Sequence, residues 1–410
     1  MGHRACARDT VPLREVNVAY LTDIEGRWDK LESFASGNPH VALEDGALRL
    51  ADGVTFVFGG DAIDRGPHGR KIVDLLLRAR KDYGERVVLL AGNRDINKLR
   101  LRPELDGNPP PSMPADVRSQ PRGAQLRWIL ANTMGAKDAF RHRVAELERE
   151  GEKADDEAVV ESYLADVAPG GAIRRYLLEC KIAHRAGSTL FLHGGVTIEN
   201  INLAPGRSTR ARDVDQWVEW LDDFYRTELD AFEEQLSVSP LLTYQAPLAG
   251  TRFNQQSVVY ARLADTNGNP LLPDAAAVGK LRASGIGRLV VGHTPSGDSP
   301  SFVRDRDFEL ILADNSYGRI ERGSQLFLTE HEARVRAYTK LDDGSEHLVA
   351  FTTDRRDVDS PLGKRDRKTG HLVKGLLENG DYLLYRGLPK YEVEQLGEDA
   401  TAIARRALDQ

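Results

Sequence analysis

The chain has 410 residues, 40% of them hydrophobic and 29% charged, with a net charge of −7. That is enough chain for two structural parts of ordinary globular composition, and its acidic balance argues against a general nucleic-acid or membrane-surface binder. Two cysteines, Cys6 and Cys180, rule out a disulfide scaffold, and no apolar run is long enough to span a bilayer, so a cytoplasmic, non-membrane protein is expected.

The opening residues, MGHRACARDTVPL, lack an apolar signal region, and Cys6 stands where a myristoylation motif wants Ser or Thr. Residues 1–15 read as a loose lead-in. A first strand is predicted over 16–21, followed by the exit loop DIEG (23–26) and a helix over about 27–35 that packs Trp28, Leu31 and Phe34. A polar, turn-rich link is expected over 36–53. Two apolar β-type runs follow, 54–58 and 86–90, each ending in Gly and a metal-capable side chain. Between them, after Pro67, residues Ile72, Leu75, Leu76 and Ala79 recur at helical spacing. This is a β–α–β unit of a parallel sheet. It places Asp61, Asp64, Arg65, Asn93, Arg94 and Asp95 at strand carboxyl ends, where open α/β sheets build their sites.

Residues 106–123 form a Pro-rich connector. Three helical segments are predicted next, from Leu126 towards Leu147, from Val159 to Val167, and from Ile173 to Cys180. A strand over 188–192 delivers His193, an amphipathic helix over 214–236 buries Trp217, Leu221 and Tyr225, and a strand over 288–291 delivers His293. Residues 308–313 and 325–328 read as a hairpin-like pair around the turn 314–318. Beyond residue 330 the pattern is strand-like at Val335–Tyr338 and over 348–352. A charged loop follows, and 390–408 is helical by periodicity.

Taken singly, a His after a strand is a packing residue, and Asp64–Arg65 is a turn salt bridge. The set changes that reading. DIEG (23–26), GGDAIDRG (59–66), GNRD (92–95), HGG (193–195) and GHTP (292–295) stand in order, each behind a hydrophobic strand. Together they resemble the calcineurin-like metallophosphoesterases, especially the branch of phosphoprotein phosphatases and dinucleoside tetraphosphatases. The likeness runs over about residues 16–328.

The resemblance implies an α/β fold, a four-layer α/β/β/α sandwich over 1–330, with a helical insertion at about 103–185 and a second insertion at about 205–285. Residues 331–410 would be a C-terminal α+β extension packed on or beside the core. The resemblance also implies two divalent ions, Mn²⁺ first, with Mg²⁺, Fe²⁺/Fe³⁺ and Zn²⁺ as alternatives. Asp23, Glu25 and Asp61 would surround one; Asp61, Asn93, His193 and His293 would surround the other, with Asp61 bridging. Such a pair supplies hydroxide at neutral pH and clamps the attacking and leaving oxygens. Asp64, Arg65 and Arg94 would be the catalytic residues, and Arg65, Arg94 and Asn93 would bind the phosphate, helped by Arg252 or Arg262.

Three departures from the family pattern shape the expected activity. Glu25 replaces a His ligand and makes the site harder, favouring Mn²⁺ or Mg²⁺. Pro295 stands where many relatives carry a further His ligand; the phosphoprotein-phosphatase branch lacks that ligand, so the departure points to that branch. Arg94 replaces a His thought to protonate the leaving group, and a guanidinium cannot usefully give up a proton. General-acid help is worth ~10²–10⁴-fold, so phosphoanhydrides, phenolic phosphates and activated diesters are the expected substrates, with His68 as the one stand-in acid. The leading expectation is a hydrolase of a phosphorylated small molecule. The alternatives are a Ser/Thr or Tyr protein phosphatase and a non-catalytic binding module. The mixed-charge run at 364–368 gives no support to nucleic-acid binding.

Overall fold

The computed structural model describes residues 17–235 and 239–409; the lead-in expected over 1–15 lies outside the described residues. Two sheets dominate. In the larger, Val18–Leu21, Thr55–Phe58, Val87–Leu90 and Cys180–Lys181 run parallel in that spatial order, and Gln325–Leu328, Glu332–Lys340 and Glu346–Asp354 continue the other edge antiparallel. The second sheet has the order Ser301–Asp305, Phe308–Leu312, Arg288–Val291, Thr189–Leu192, Ala183–Ala186, with its three central strands parallel.

Side-chain alternation along these strands explains how the sheets are used. Val18, Tyr20, Val57, Val88 and Leu90 of the first join Phe191, Val290, Phe302 and Ile311 of the second in one apolar cluster. The intervening residues, such as Ala19, Phe56, Phe58 and Leu89, pack with Leu31, Phe34, Ile72 and Leu76 from the helices Trp28–Ala35 and Gly69–Tyr83. Fully buried Arg288 also ties the sheets together. Its Nε donates to Glu309 at 2.8 Å, while its two Nη donate to the carbonyls of Thr329 and His331 at 2.7 and 3.0 Å.

Several local expectations change. The link over 36–53 contains a hairpin, Val41–Glu44 with Ala47–Leu50. Asp45 and Gly46 at its tip have φ of 50° and 68°, the two-residue turn that Asp-Gly favours. The strands Phe308–Leu312 and Gln325–Leu328 are not a pair but belong to different sheets, and the hairpin partner of the first is Ser301–Asp305. The chain between them crosses from one sheet to the other. The first stripe of the insertion splits into Arg122–Asn132 and Ala139–Arg149, because Gly135 turns left-handed between them with φ 62°. The expected C-terminal helix is instead the strand Val393–Glu398, paired with Tyr382–Gly387, and only Ala400–Ala404 is α-helical, starting from an Asp399 cap. Leu372–Leu376, Tyr382–Gly387 and Val393–Glu398 make a small third sheet.

Candidate metal centre

The candidate side chains leave the carboxyl ends of five strands. Asp23 and Glu25 follow Val18–Leu21, Asp61 and Asp64 follow Thr55–Phe58, Asn93 and Arg94 follow Val87–Leu90, and His193 and His293 follow Thr189–Leu192 and Arg288–Val291. Asp23, Glu25, Asp61, Asp64 and His293 have φ of 51°, 47°, 55°, 115° and 59°, positive values that are uncommon for residues with a side chain. Neighbouring loops hold them there. Glu25 N–H donates to the Asp61 carbonyl at 2.9 Å, and the Arg65 and Gly66 N–H groups donate to the Glu25 carbonyl at 2.8 and 2.7 Å. A Cβ on Gly66 would lie 2.3 Å from the Gly26 carbonyl oxygen, so these two loops can touch only as glycines.

Backbone carbonyls set both histidine tautomers. His193 Nδ1 lies 2.8 Å from the Gly59 carbonyl and donates to it, which aims Nε2 at Asp61 Oδ1 at 3.3 Å and Asn93 Oδ1 at 3.2 Å. His293 Nε2 faces the Tyr260 carbonyl at 3.1 Å, leaving Nδ1 as its lone pair, and the two imidazoles are 5.2 Å apart. Asp23 accepts from Thr22 Oγ1 at 2.6 Å and from the His293 N–H at 3.2 Å. Asp23, Asp61 and His193 offer ligand atoms all within 4.8 Å of one another.

These groups fit a divalent ion. Donor atoms ~2.0–2.2 Å from one cation lie roughly 3.0–3.5 Å from each other at tetrahedral or octahedral angles, the spacing seen around His193 Nε2. Their electrostatics require positive charge as well. Burial disfavours a charged His193, yet Asp61 and Asp23 push its pKa up to about 10. Burial likewise opposes ionised Asp61, but His193 and Arg94 outweigh it and hold that carboxyl below its ordinary value. Asp23, buried and facing Asp314, is pushed well above its own.

A cationic wall stands beside this cluster. Arg94 Nε lies 2.7 Å from Glu25 Oε1 and 3.6 Å from Asp61 Oδ2; its Nη1 is 3.7 Å from Asp64 Oδ2 and donates to the Met134 carbonyl at 3.1 Å. Arg65 Nη1 donates to Glu25 Oε2 at 3.0 Å, and its guanidinium stacks on exposed Tyr317 at 3.9 Å. Asp64 is taken by Lys98, whose Nζ is 2.6 Å from Oδ2, so Asp64 and Arg65 each pair elsewhere and not with one another. Burial raises the Glu25 pKa to about 7 against the pull of Arg94 and Arg65. The charges acting most on His68 are Arg149, Lys71, Asp29 and Glu32, none of them a candidate metal ligand. Half-buried Arg262 acts on His293, whereas Arg252 is exposed.

The model of the calcineurin-like phosphoesterases matches residues 16–297. The chain belongs to that family. It is therefore a metal-dependent phosphoesterase, a hydrolase of phosphoric esters. Among solved structures, a cold-active protein-tyrosine phosphatase of a psychrophilic Shewanella species is 17% identical, covering 81% of this chain and 80% of its own, with a TM-score of 0.43. A serine/threonine phosphatase from Saccharomyces cerevisiae is 11% identical (84% and 81% covered, TM-score 0.39), and a metallophosphoesterase from Sphaerobacter thermophilus is 11% identical (85% and 91%, TM-score 0.34). Comparison with curated proteins gives no match. Among the described residues, no helix is long and apolar enough to cross a membrane.

Within this phosphoesterase, the fold brings together Asp23, Asp61, Asn93, His193 and His293, while Glu25 is engaged by two arginines. Sequence reasoning missed Lys98, Asp314 and Tyr317, and it noted Asp95 without giving it a role. Lys98 lies one helical turn after Arg94, the spacing at which side chains share a face, and that was its signal. Asp314 and Tyr317 had none, because they arrive on the segment that crosses between sheets.

Proposed function

We propose that this phosphoesterase hydrolyses a phosphorylated small molecule or phosphoanhydride whose leaving group departs without a proton. One observation carries the reading: where the family pattern has a protonating His there is Arg94, a guanidinium locked between Glu25, Asp64 and the Met134 carbonyl. Lys98, the other cation near Asp64, is fully buried and turned to Asp64, Asn97 and the Arg94 carbonyl. Neither group offers a proton to an alkoxide. Arg65, partly exposed at the rim, binds phosphate oxygens, and Arg94 lies against the charge that develops there. Asp23, Asp61, Asn93, His193 and His293 hold the metal. Their mixed oxygen and imidazole set suits Mn²⁺, with Mg²⁺ or iron as alternatives. When bound, the ion supplies a Lewis acid and lowers the pKa of water towards neutral. A cytoplasmic setting and a small-molecule partner belong to the same proposal.

The test is the dependence of log kcat on leaving-group pKa for a series of aryl and alkyl phosphates. A steep negative slope is expected, with alkyl esters at least ~100-fold slower than aryl esters. A shallow slope continuing through the alkyl esters would mean that an acid operates and would overturn the substrate assignment.

A further inference from the structure

Two of the departures from the family pattern meet in space. Glu25 and Arg94 each stand where relatives carry a histidine, and Arg94 Nε is 2.7 Å from Glu25 Oε1. The other Glu25 oxygen accepts from Arg65 at 3.0 Å. A buried carboxylate with both oxygens committed to guanidinium groups has formed the charge-assisted pairs that arginine favours.

Asp61 shows the consequence. Its Oδ1 faces His193 Nε2 and accepts the Arg94 N–H at 2.9 Å, whereas its Oδ2 faces the Arg94 guanidinium at 3.6 Å. Bridging two ions would require Asp61 to serve a cation on the side where Arg94 already stands, and that arginine never loses its charge. Lys98 strengthens the arrangement. It neutralises Asp64 at 2.6 Å, so Arg94 is left to lean on Glu25, and the Met134 carbonyl of the helical insertion holds its far end at 3.1 Å.

We infer that Arg94 takes the place of one of the family's two cations. The protein holds a single divalent ion among Asp23, Asp61, Asn93, His193 and His293, and Glu25 anchors the guanidinium without ligating metal. This rests on the metal-dependent reading above. It deepens that reading by making one fixed organic cation and one exchangeable inorganic cation the phosphate-binding pair.

Metal stoichiometry tests it. The full chain is stripped with chelator, equilibrated with Mn²⁺ and dialysed, and bound manganese is counted by elemental analysis and by electron paramagnetic resonance. One ion per chain with the spectrum of isolated Mn²⁺ is expected. Glu25→Gln is expected to keep that count with Mn²⁺ affinity changed less than about threefold, and Arg94→His to gain a second, spin-coupled ion. Two ions on the wild type, or a tenfold or greater loss of Mn²⁺ affinity in Glu25→Gln, would overturn the inference while leaving metal dependence intact. A folded Arg94→His that stays at one ion would overturn the role of Arg94. No bound manganese on the wild type would overturn both this inference and the reading it rests on. Circular dichroism checks the fold of each variant, and the wild-type count needs no variant.

Discussion

Asp95 is fully buried, and its carboxylate accepts the backbone N–H groups of Asp61, Ala62 and Gly92, each at 2.9 Å. Those bonds fix the loop that aims Asp61 and join it to the GNRD turn. Asn at this position would turn an NH₂ towards at least one of these N–H donors. Asp95→Asn is therefore expected to lower stability by about 2–4 kcal/mol, the cost of buried donors left unpaired. It is also expected to lower kcat by displacing Asp61. Urea unfolding followed with kcat measurements checks both, and a variant with an unchanged midpoint and rate would contradict the role. At this scale the metal-capable residues were legible because each occupies a short block directly behind a strand. Asp314 was not, since a lone Asp in a loop acquires meaning only from what tertiary packing sets against it, and Lys98 showed only its spacing from Arg94.

Among the elements, the small sheet Leu372–Leu376, Tyr382–Gly387 and Val393–Glu398 backs the loop that follows His293. Buried Lys374 donates to the Ser296 carbonyl and lies 4.6 Å from the Tyr385 ring, while Gln395 Nε2 donates to Asp298 Oδ2 at 2.7 Å. Burial lowers the Lys374 pKa from 10.5 to about 7, against the pull of Asp298. Between those values the unfolded chain keeps a proton that the folded chain has shed, so this group makes stability rise with pH across the window, and the burial penalty is full below it. Relative to wild type, Lys374→Met is expected to be most favoured near pH 6.5. That advantage should shrink towards pH 10, by up to about 1.4 kcal/mol per pH unit. Urea midpoints at both ends of the range check this, and a gap that does not change with pH would contradict it.

Element type was legible wherever an apolar run was short and bounded by Gly, as at Thr55–Phe58 and Val87–Leu90. It failed at Val393–Glu398, where charged residues interleave with apolar ones. There the pairing with Tyr382–Gly387 decides the conformation and the local period does not. The Asp45-Gly46 turn carries its signal in the Asp-Gly pair itself.

At the scale of the molecule, the site exists because two sheets present their strand ends to one place, with exit loops from Asp23 to His293 contributing side chains. The order of blocks made that convergence legible. The assignment of Phe308–Leu312 and Gln325–Leu328 to separate sheets was not, because neighbours in sequence pair more often than they part. Convergence on a cation predicts that catalysis, and not merely folding, depends on Asp61. Hydrolysis of p-nitrophenyl phosphate is therefore to be measured for the wild type and for Asp61→Asn, each stripped with chelator and then returned to Mn²⁺. The wild type should lose activity with the metal and regain it, and Asp61→Asn should remain at least ~100-fold slower with Mn²⁺ restored. A stripped wild type that hydrolyses the ester undiminished, or an Asp61→Asn variant that matches it, would contradict the account.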